Sequence, residues 1–389
     1  MNKNKFSFIK FVFPFIILYF FFIVEACEKH NVKREYEFEE RNAIKTIKNP
    51  SNPVFKNFEL NLEEDLEIKE SSKDENYMFY QAADMAIDSE ENIYILDSGN
   101  QRIQKFDKNG KYILTIGMKG DGPGEFQSPS KLFIDTKDYI YVKDERKIDE
   151  FNKEGIFIKS ISFNHKTADI PMADIQNFNF IVTPQENIFA NIIQYSKSGG
   201  FNSLVKLNSE GEIIKEIDKF IDESIKFKGT AEGGAFGGFI HPYNPKLIFS
   251  AFIDGKLIYG HSSEYILFVL GKNGRVVLKI IKDEIPSPLS KKEKLKNINM
   301  PKNRPFFSKI LIDDKERIWI CKTKSVLVKS GEMRIDIFSC DGIYLYRVKI
   351  PYRPDIIKKG NVYSLIFSED TGEMNIKRLK IKNWDKMKY

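Results

Sequence analysis

The residues with chemical potential are few and widely spread. Of the four histidines in 389 residues, His165, His241 and His261 fall in polar stretches between strand-like segments. Imidazoles meeting from separate loops could hold Zn²⁺, but a metal site needs several convergent ligands, and no H-x-x-x-H or C-x-x-C pair is present. Three unrelated surface histidines are the simpler reading. Asp97 and Arg102 follow an I-Y-I-L segment, and Asp144 and Arg146 follow the similar I-Y-V-K. An Asp with an Arg close behind makes either an internal pair that holds a loop or a contact for a polar ligand. Tyr243, beside His241 in T-A-E-G-G-A-F-G-G-F-I-H-P-Y-N-P (230–245), and Arg304, at the end of a basic stretch, complete the candidate ligand-binding residues. The glycines of 230–245 lack the G-x-x-x-x-G-K-[ST] of a phosphate loop. No Ser-His-Asp or Cys-His arrangement is visible, so no catalytic residue is assigned.

What positions these residues is a repeat. From Ala86 the chain reads A-I-D-S-E-E-N-I-Y-I-L-D, then R-I-Q-K-F-D-K-N-G-K-Y-I-L-T-I, and from Leu132 it begins again with L-F-I-D. An apolar strand ending in Asp, a polar turn, a strand of form I-Y-I, a strand ending in Phe or Leu, a turn ending in Gly and a last strand recur. Asn-Gly and Asp-Gly supply the positive φ of tight hairpins, and Asp ahead of a polar turn can bond the turn's own amides. A four-stranded unit cannot bury both its faces alone, so such units stack in a ring. The expected fold is therefore all-β: a six-bladed β-propeller of four-stranded antiparallel blades. The blades are placed at about 80–116, 129–161, 178–217, 246–280, 306–350 and 353–381. The sixth copy is one strand short, and the alternating stretch 54–70 is expected to supply that strand and close the ring.

The N-terminus reads as an address. Lys3, Lys5 and Lys10 precede an apolar run, Phe11 to Val24, too short to span a bilayer, and Glu25, Ala26 and Cys27 follow. Residues 1–26 are expected to be a signal peptide, and 27–53, polar and charged, a tether. The net charge of +6 falls to +4 without residues 1–26, which hold three Lys and one Glu. That is too mild for a nucleic-acid partner. Cys27, Cys321 and Cys340 are the only cysteines. The last two fall at opposite ends of one expected hairpin, too far apart for a disulfide, and are read as free thiols.

Two resemblances refine this. G-D-G-P-G-E-F-Q-S-P (120–129), with L-F-I-D and I-Y-V-K-D after it and R-I-Q-K-F-D-K-N-G before it, resembles the NHL-repeat family of six-bladed propellers. The segment ending at Cys27 resembles a bacterial lipobox, although Glu25 departs from its pattern. That resemblance implies lipidation at Cys27 and an exported, envelope-bound protein anchored in a membrane. The NHL resemblance implies a binding face built from the loops between strands two and three and between successive blades. His165, His241, His261, Asp97 and Asp144 all fall in those loops. So do 230–245 and a short basic helix expected within 286–304. The favoured function is binding of a protein, peptide or glycan on that face. The alternatives are a metal-assisted lyase or lactonase at the central channel, for which Ca²⁺ or Zn²⁺ would be the only cofactor, and a structural envelope component.

Overall fold

The protein is described by a computed structural model over residues 36–163, 173–174, 178–196, 199–222, 225–230, 233–238, 241–294, 300–328, 332–368 and 372–388. Its turns explain its strands. Asp88 accepts from the amides of Glu90 and Asn92, Asp135 from Lys137 and Tyr139, and Asp313 from Lys315 and Arg317. Each carboxylate thus cages a two-strand turn whose next residue takes a positive φ: Glu91, Asp138 and Glu316. The carboxylate also receives the aromatic of the following strand, Tyr94 Oη onto Asp88 at 3.1 Å and Trp319 Nε1 onto Asp313 at 2.7 Å. The same ring fills the wedge toward the next blade, so one Asp ties turn, strand and packing together. Between strands three and four, Asp107, Asn152 and Asn208 cap the turn in the same manner. Gly342 shows why glycine closes that turn: φ is +86°, and a Cβ would meet Ile280 of the preceding blade at 2.7 Å.

Six blades result. The first holds Ala82–Ile87, Ile93–Asp97, Arg102–Phe106 and Tyr112–Ile116; the second Pro129–Ile134, Ile140–Asp144, Lys147–Phe151 and Phe157–Ser162. The third holds Phe180–Val182, Ile188–Ser196, Gly199–Leu207 and Ile213–Asp222, with Ala173–Asp174 beside its second strand. The fourth holds Leu247–Ala251, Leu257–His261, Ile266–Leu270 and Val276–Lys282; the fifth Phe307–Ile312, Ile318–Lys322, Met333–Phe338 and Tyr344–Ile350. The sixth is Ile356–Lys358, Asn361–Phe367 and Met374–Ile381, completed by Leu62–Lys69 from the N-terminal side. That closing strand runs antiparallel to Met374–Ile381 with Ile68 opposite Ile376, and Arg378 bonds Asp65 at 2.8 Å across the join. The core lies between blades, where buried aliphatic and aromatic side chains interleave.

One expectation needs correction. The 27–53 tether contains a hairpin, Glu37–Arg41 with Ile44–Asn49, whose second strand adds in parallel to the outer edge of the fourth blade. Ile47 is buried there opposite Ile280, and Asn49 bonds Gly342 O and the Tyr344 amide of the fifth blade, each at 2.8 Å. The lysines around Ile44 and Ile47 masked this half-buried strand. Residues 1–35, with Cys27, lie outside the described residues.

Candidate functional site: the loop face

Every second strand ends on the face where the chain passes between blades. Asp97, Asp144, His261 and Lys322 all occupy the closing position of that strand, each four residues after the residue paired with the end of the inner strand. They are one structural position filled three ways, by Asp twice, by His and by Lys. Asp97 is fully buried and accepts from the amides of Tyr80 (3.0 Å) and Gln81 (3.2 Å), from Asn100 (2.7 Å) and from Arg102 Nε (3.3 Å). Arg102 also donates to the carbonyls of Glu75 and Met78. Asp144 holds the amides of Gln127 and Ser128. Its cationic neighbour is Lys147, at 3.6 Å, while Arg146 points outward and is exposed. The Asp–Arg repeat read from sequence is thus Asp97–Arg102 and Asp144–Lys147. In both, the carboxylate latches the incoming loop.

In the fifth blade the polarity is reversed. Lys322 takes the latch position and meets Glu284 of the incoming loop at 2.6 Å. Around them buried Lys282 and Asp336 form a network that the exposed Arg347 joins; Tyr265 and Tyr344 donate to Asp336 at 2.8 and 2.7 Å, and the Lys322 ammonium sits 4.3 Å from the Tyr265 ring centre. Burial, above all, lowers the Lys322 pKa, against the pull of Asp336 and Glu284. In the fourth blade His261 stacks on Phe220 at 5.0 Å, and its Nδ1 lies 2.7 Å from Ser263 Oγ. Burial lowers its pKa.

A second assembly gathers Tyr243 and Arg304 around a residue the sequence did not single out, Glu293. Arg304 makes a two-pronged pair with Glu293, Nε at 2.9 Å and Nη2 at 2.7 Å. Ser290 donates through its amide and hydroxyl, Ser325 donates at 2.6 Å, and Tyr243 donates its hydroxyl while accepting the Val326 amide at 2.7 Å. Arg304 foremost holds the Glu293 carboxyl far below the usual carboxylate range. Three loops are pinned by one buried carboxylate. His241 lies beside Tyr243, its Nδ1 accepting the Tyr243 amide at 3.2 Å, and burial lowers its pKa. In the stretch expected to be a basic helix, residues 290–294 form turns, since Glu293 folds back onto Ser290; 295–299 lie outside the described residues. The 230–245 stretch contributes the second strand, Gly233–Gly238, of a hairpin whose first strand is Ile225–Thr230. His165 lies outside the described residues.

At the channel mouth, charges from the inner-strand region of four blades meet, and this too escaped the sequence. Asp84 accepts from the Leu132 amide of the next blade at 3.1 Å with Lys131 at 3.9 Å; Lys309 bonds Asp355 at 2.6 Å. Burial raises the Asp84 pKa, and Lys131 opposes it. Arg353, exposed, stands two residues before Asp355. Lys309 and Asp355 are 46 positions apart and Asp84 and Leu132 are 48, so no local spacing announces the pairs. Among the described residues, no three His, Cys, Asp or Glu side chains are grouped as a metal site requires. Cys321 is buried and Cys340 exposed, both unbridged.

The rim of this face is apolar. Of the fifteen exposed large hydrophobic side chains described, nine sit on loop-face segments: Met78, Tyr80, Met118, Ile221, Ile285, Phe367 and the run Val326, Leu327, Val328. Ile285 is 88% and Tyr80 79% exposed.

Comparison with known proteins agrees with this architecture. A family profile, DUF5128, described as 6-bladed beta-propeller, matches residues 79–231. Among solved structures, a Bacteroides fragilis protein named "Putative exported protein" is similar at 15% identity and a TM-score of 0.51, over 82% of this chain and 95% of that one. A DUF4221-family protein from Bacteroides vulgatus is similar at 12% identity and a TM-score of 0.48, over 82% and 98%. Virginiamycin B lyase from Staphylococcus aureus is similar at 12% and 0.43, over 82% and 99%. At 15% identity the likeness to the Bacteroides fragilis protein is one of fold. The match is to six-bladed propellers; it does not extend to NHL repeats in particular. No curated protein matches the chain.

Proposed function

We propose that the chain is an exported, lipid-anchored propeller that binds a protein partner on its loop face. The concentration of exposed apolar side chains on that one face carries the reading, because solvated surfaces scatter such residues, and their gathering on one side marks docking surfaces. The internal latches support it. Asp97, Asp144 and Glu293 hold the loops in fixed positions, so little ordering cost falls on the binding step. The charged channel mouth offers polar anchoring at the centre of an apolar rim, the arrangement suited to a protein or peptide better than to a glycan. Anchoring is read from Cys27 behind its apolar run; the name of the Bacteroides fragilis neighbour supports export.

Immobilised full-length protein, challenged with a detergent extract of the cell envelope, tests the reading against Val326→Ser/Leu327→Ser/Val328→Ser and, on the other face, Ile253→Ser. The triple variant is expected to lose the captured protein by about tenfold or more, and Ile253→Ser to retain it. Equal capture by both variants would contradict the proposal. Cys27→Ser is expected to move the protein from the membrane to the soluble fraction; its persistence in the membrane would contradict lipid anchoring.

A further inference from the structure

The opposite face carries its own feature, independent of the loop-face reading. Each blade presents a row of three residues, across strands two, three and four, to the next blade. In the first blade the row is Tyr94, Lys105, Leu114; in the second Tyr141, Glu150, Lys159; in the sixth Tyr363, Arg378, Leu66. Each basic residue there has an acid: Asp88 at 3.8 Å from Lys105, Glu150 at 3.5 Å from Lys159, Asp65 at 2.8 Å from Arg378. The rows of the fourth and fifth blades, Ile258, Val269, Leu278 and Trp319, Ile337, Tyr346, are uncharged.

The third blade breaks this pattern. Its row is Phe189, Lys206, Lys215, and among the described residues no carboxylate pairs with either lysine. Where Asp88 and Asp313 stand, this blade has Thr183, buried, with a hydroxyl that makes no hydrogen bond among the described residues. The facing turn of the fourth blade departs as well. Asp107, Asn152, Asn208 and Ser339 begin that turn elsewhere; here it is Gly271, and the Arg275 amide is taken instead by Asn273 Oδ1 at 3.0 Å. Between the two blades lies a cavity of about 110 Å³, floored by Phe189, Leu257 and Leu270 and edged by Lys206, Lys215 and Lys272. Lys215 bonds the Gly274 carbonyl at 3.1 Å across its mouth. No acidic residue lines it.

We infer that this cleft binds a small organic anion, a carboxylate carried on an apolar body of about one aromatic ring. Lysines at the edge of an aromatic and aliphatic floor suit both ends of such a molecule; at about 110 Å³ the cleft is smaller than the cavity of about 150 Å³ that encloses benzene, so the ring is held with part of it at the open mouth. The carboxylate replaces the acid that the other charged rows carry in their own sequence.

Titration of the full-length protein with benzoate, followed by saturation-transfer NMR, tests this. Saturable binding is expected at about 1 mM or tighter, the range open to so few atoms. Benzyl alcohol, the neutral counterpart, and inorganic phosphate, charged without the apolar body, are each expected to bind about tenfold or more weaker. Lys206→Gln and Lys215→Gln should each weaken benzoate by about tenfold or more. Gly271→Asp places a carboxylate at the edge of the cleft; its Cβ would lie 3.1 Å from Val277 Cγ1 and 3.2 Å from Asn273 Oδ1, so its folding is checked first by circular dichroism, and in the folded variant the carboxylate should abolish benzoate binding. The inference is overturned if benzoate shows no saturable binding below about 10 mM, if benzyl alcohol matches it, or if folded Gly271→Asp and the lysine variants bind as the parent does.

Discussion

Glu293→Ala removes the carboxylate that holds three loops of the binding face. Glu293 is buried and receives donors from Arg304, Ser290, Ser325 and Tyr243. Deleting one partner of a buried ion pair costs about 3–5 kcal/mol, because the other charge is left unmatched. Arg304 keeps 23% of its side chain exposed and recovers some hydration, which favours the lower end, about 3 kcal/mol. The cost falls on loop closure rather than on the blades, whose cores do not include Glu293. An opening equilibrium shifted by about 3 kcal/mol is a factor of about 150. Trypsin acting at Lys291, Lys292 and Lys294 should therefore cut the variant about 100-fold faster under conditions where opening is fast. The global unfolding midpoint should move much less. Glu293→Gln, which keeps an acceptor for Ser325, should fall between. The pH dependence follows from the same pair. Arg304 holds the folded pKa below the unfolded value of about 4.3, so the latch is fully stabilising above that value and weakens only as pH falls below it toward the folded pKa. Cleavage rates of the parent, divided at each pH by trypsin's rate on an unstructured peptide, should be flat from about pH 8 to about pH 5. Identical cleavage of parent and Glu293→Ala, with identical hydrogen exchange in 286–294, would refute the reasoning.

Other consequences are equally direct. Gly342→Ala, with φ at +86° and Ile280 2.7 Å from the added Cβ, should destabilise by more than about 2 kcal/mol, whereas Gly372→Ala, at φ +74° with nothing within 4 Å, should cost only the backbone term of about 1 kcal/mol; denaturant titration separates them. Cys340 should react with a thiol reagent at pH 8 in the folded protein, while Cys321, its thiol pushed up to about 12 by burial, should react only after unfolding. Cysteines at Glu67 and Lys377, directly paired across the closing seam, should form a disulfide on mild oxidation and raise stability by about 2–4 kcal/mol. Failure to bridge would mean that the ring is not closed there.

The fold was legible because the turn chemistry repeats. Asp88, Asp135 and Asp313, each three residues ahead of a left-handed residue, and the glycines at 110, 155 and 342 mark turns strongly enough to place the blades. The missing fourth strand of the sixth copy led to Leu62–Lys69. The hairpin at 37–49 was hidden because its charged residues face solvent and only Ile47 and a few neighbours touch the core. The site was less legible. Asp97 and His261 could be named as unusual, but their role as loop latches depends on backbone amides that carry no sequence signature. Glu293 looked like one charge in a basic run, and the Asp84–Lys131 and Lys309–Asp355 pairs each join one blade to the next, across a whole blade's length of chain. A ring places side by side what sequence separates.

The central claim is that one face of the propeller is the binding face. Site-specific photo-crosslinking in intact cells tests it most directly, with the reactive group placed in turn at Tyr80, Ile285 and Leu327 on the loop face and at Ile156 and Ile253 on the opposite face. The account predicts a common crosslinked protein from the first three positions and none from the last two. Crosslinks from Ile156 or Ile253 to a partner that Ile285 and Leu327 never reach would contradict it.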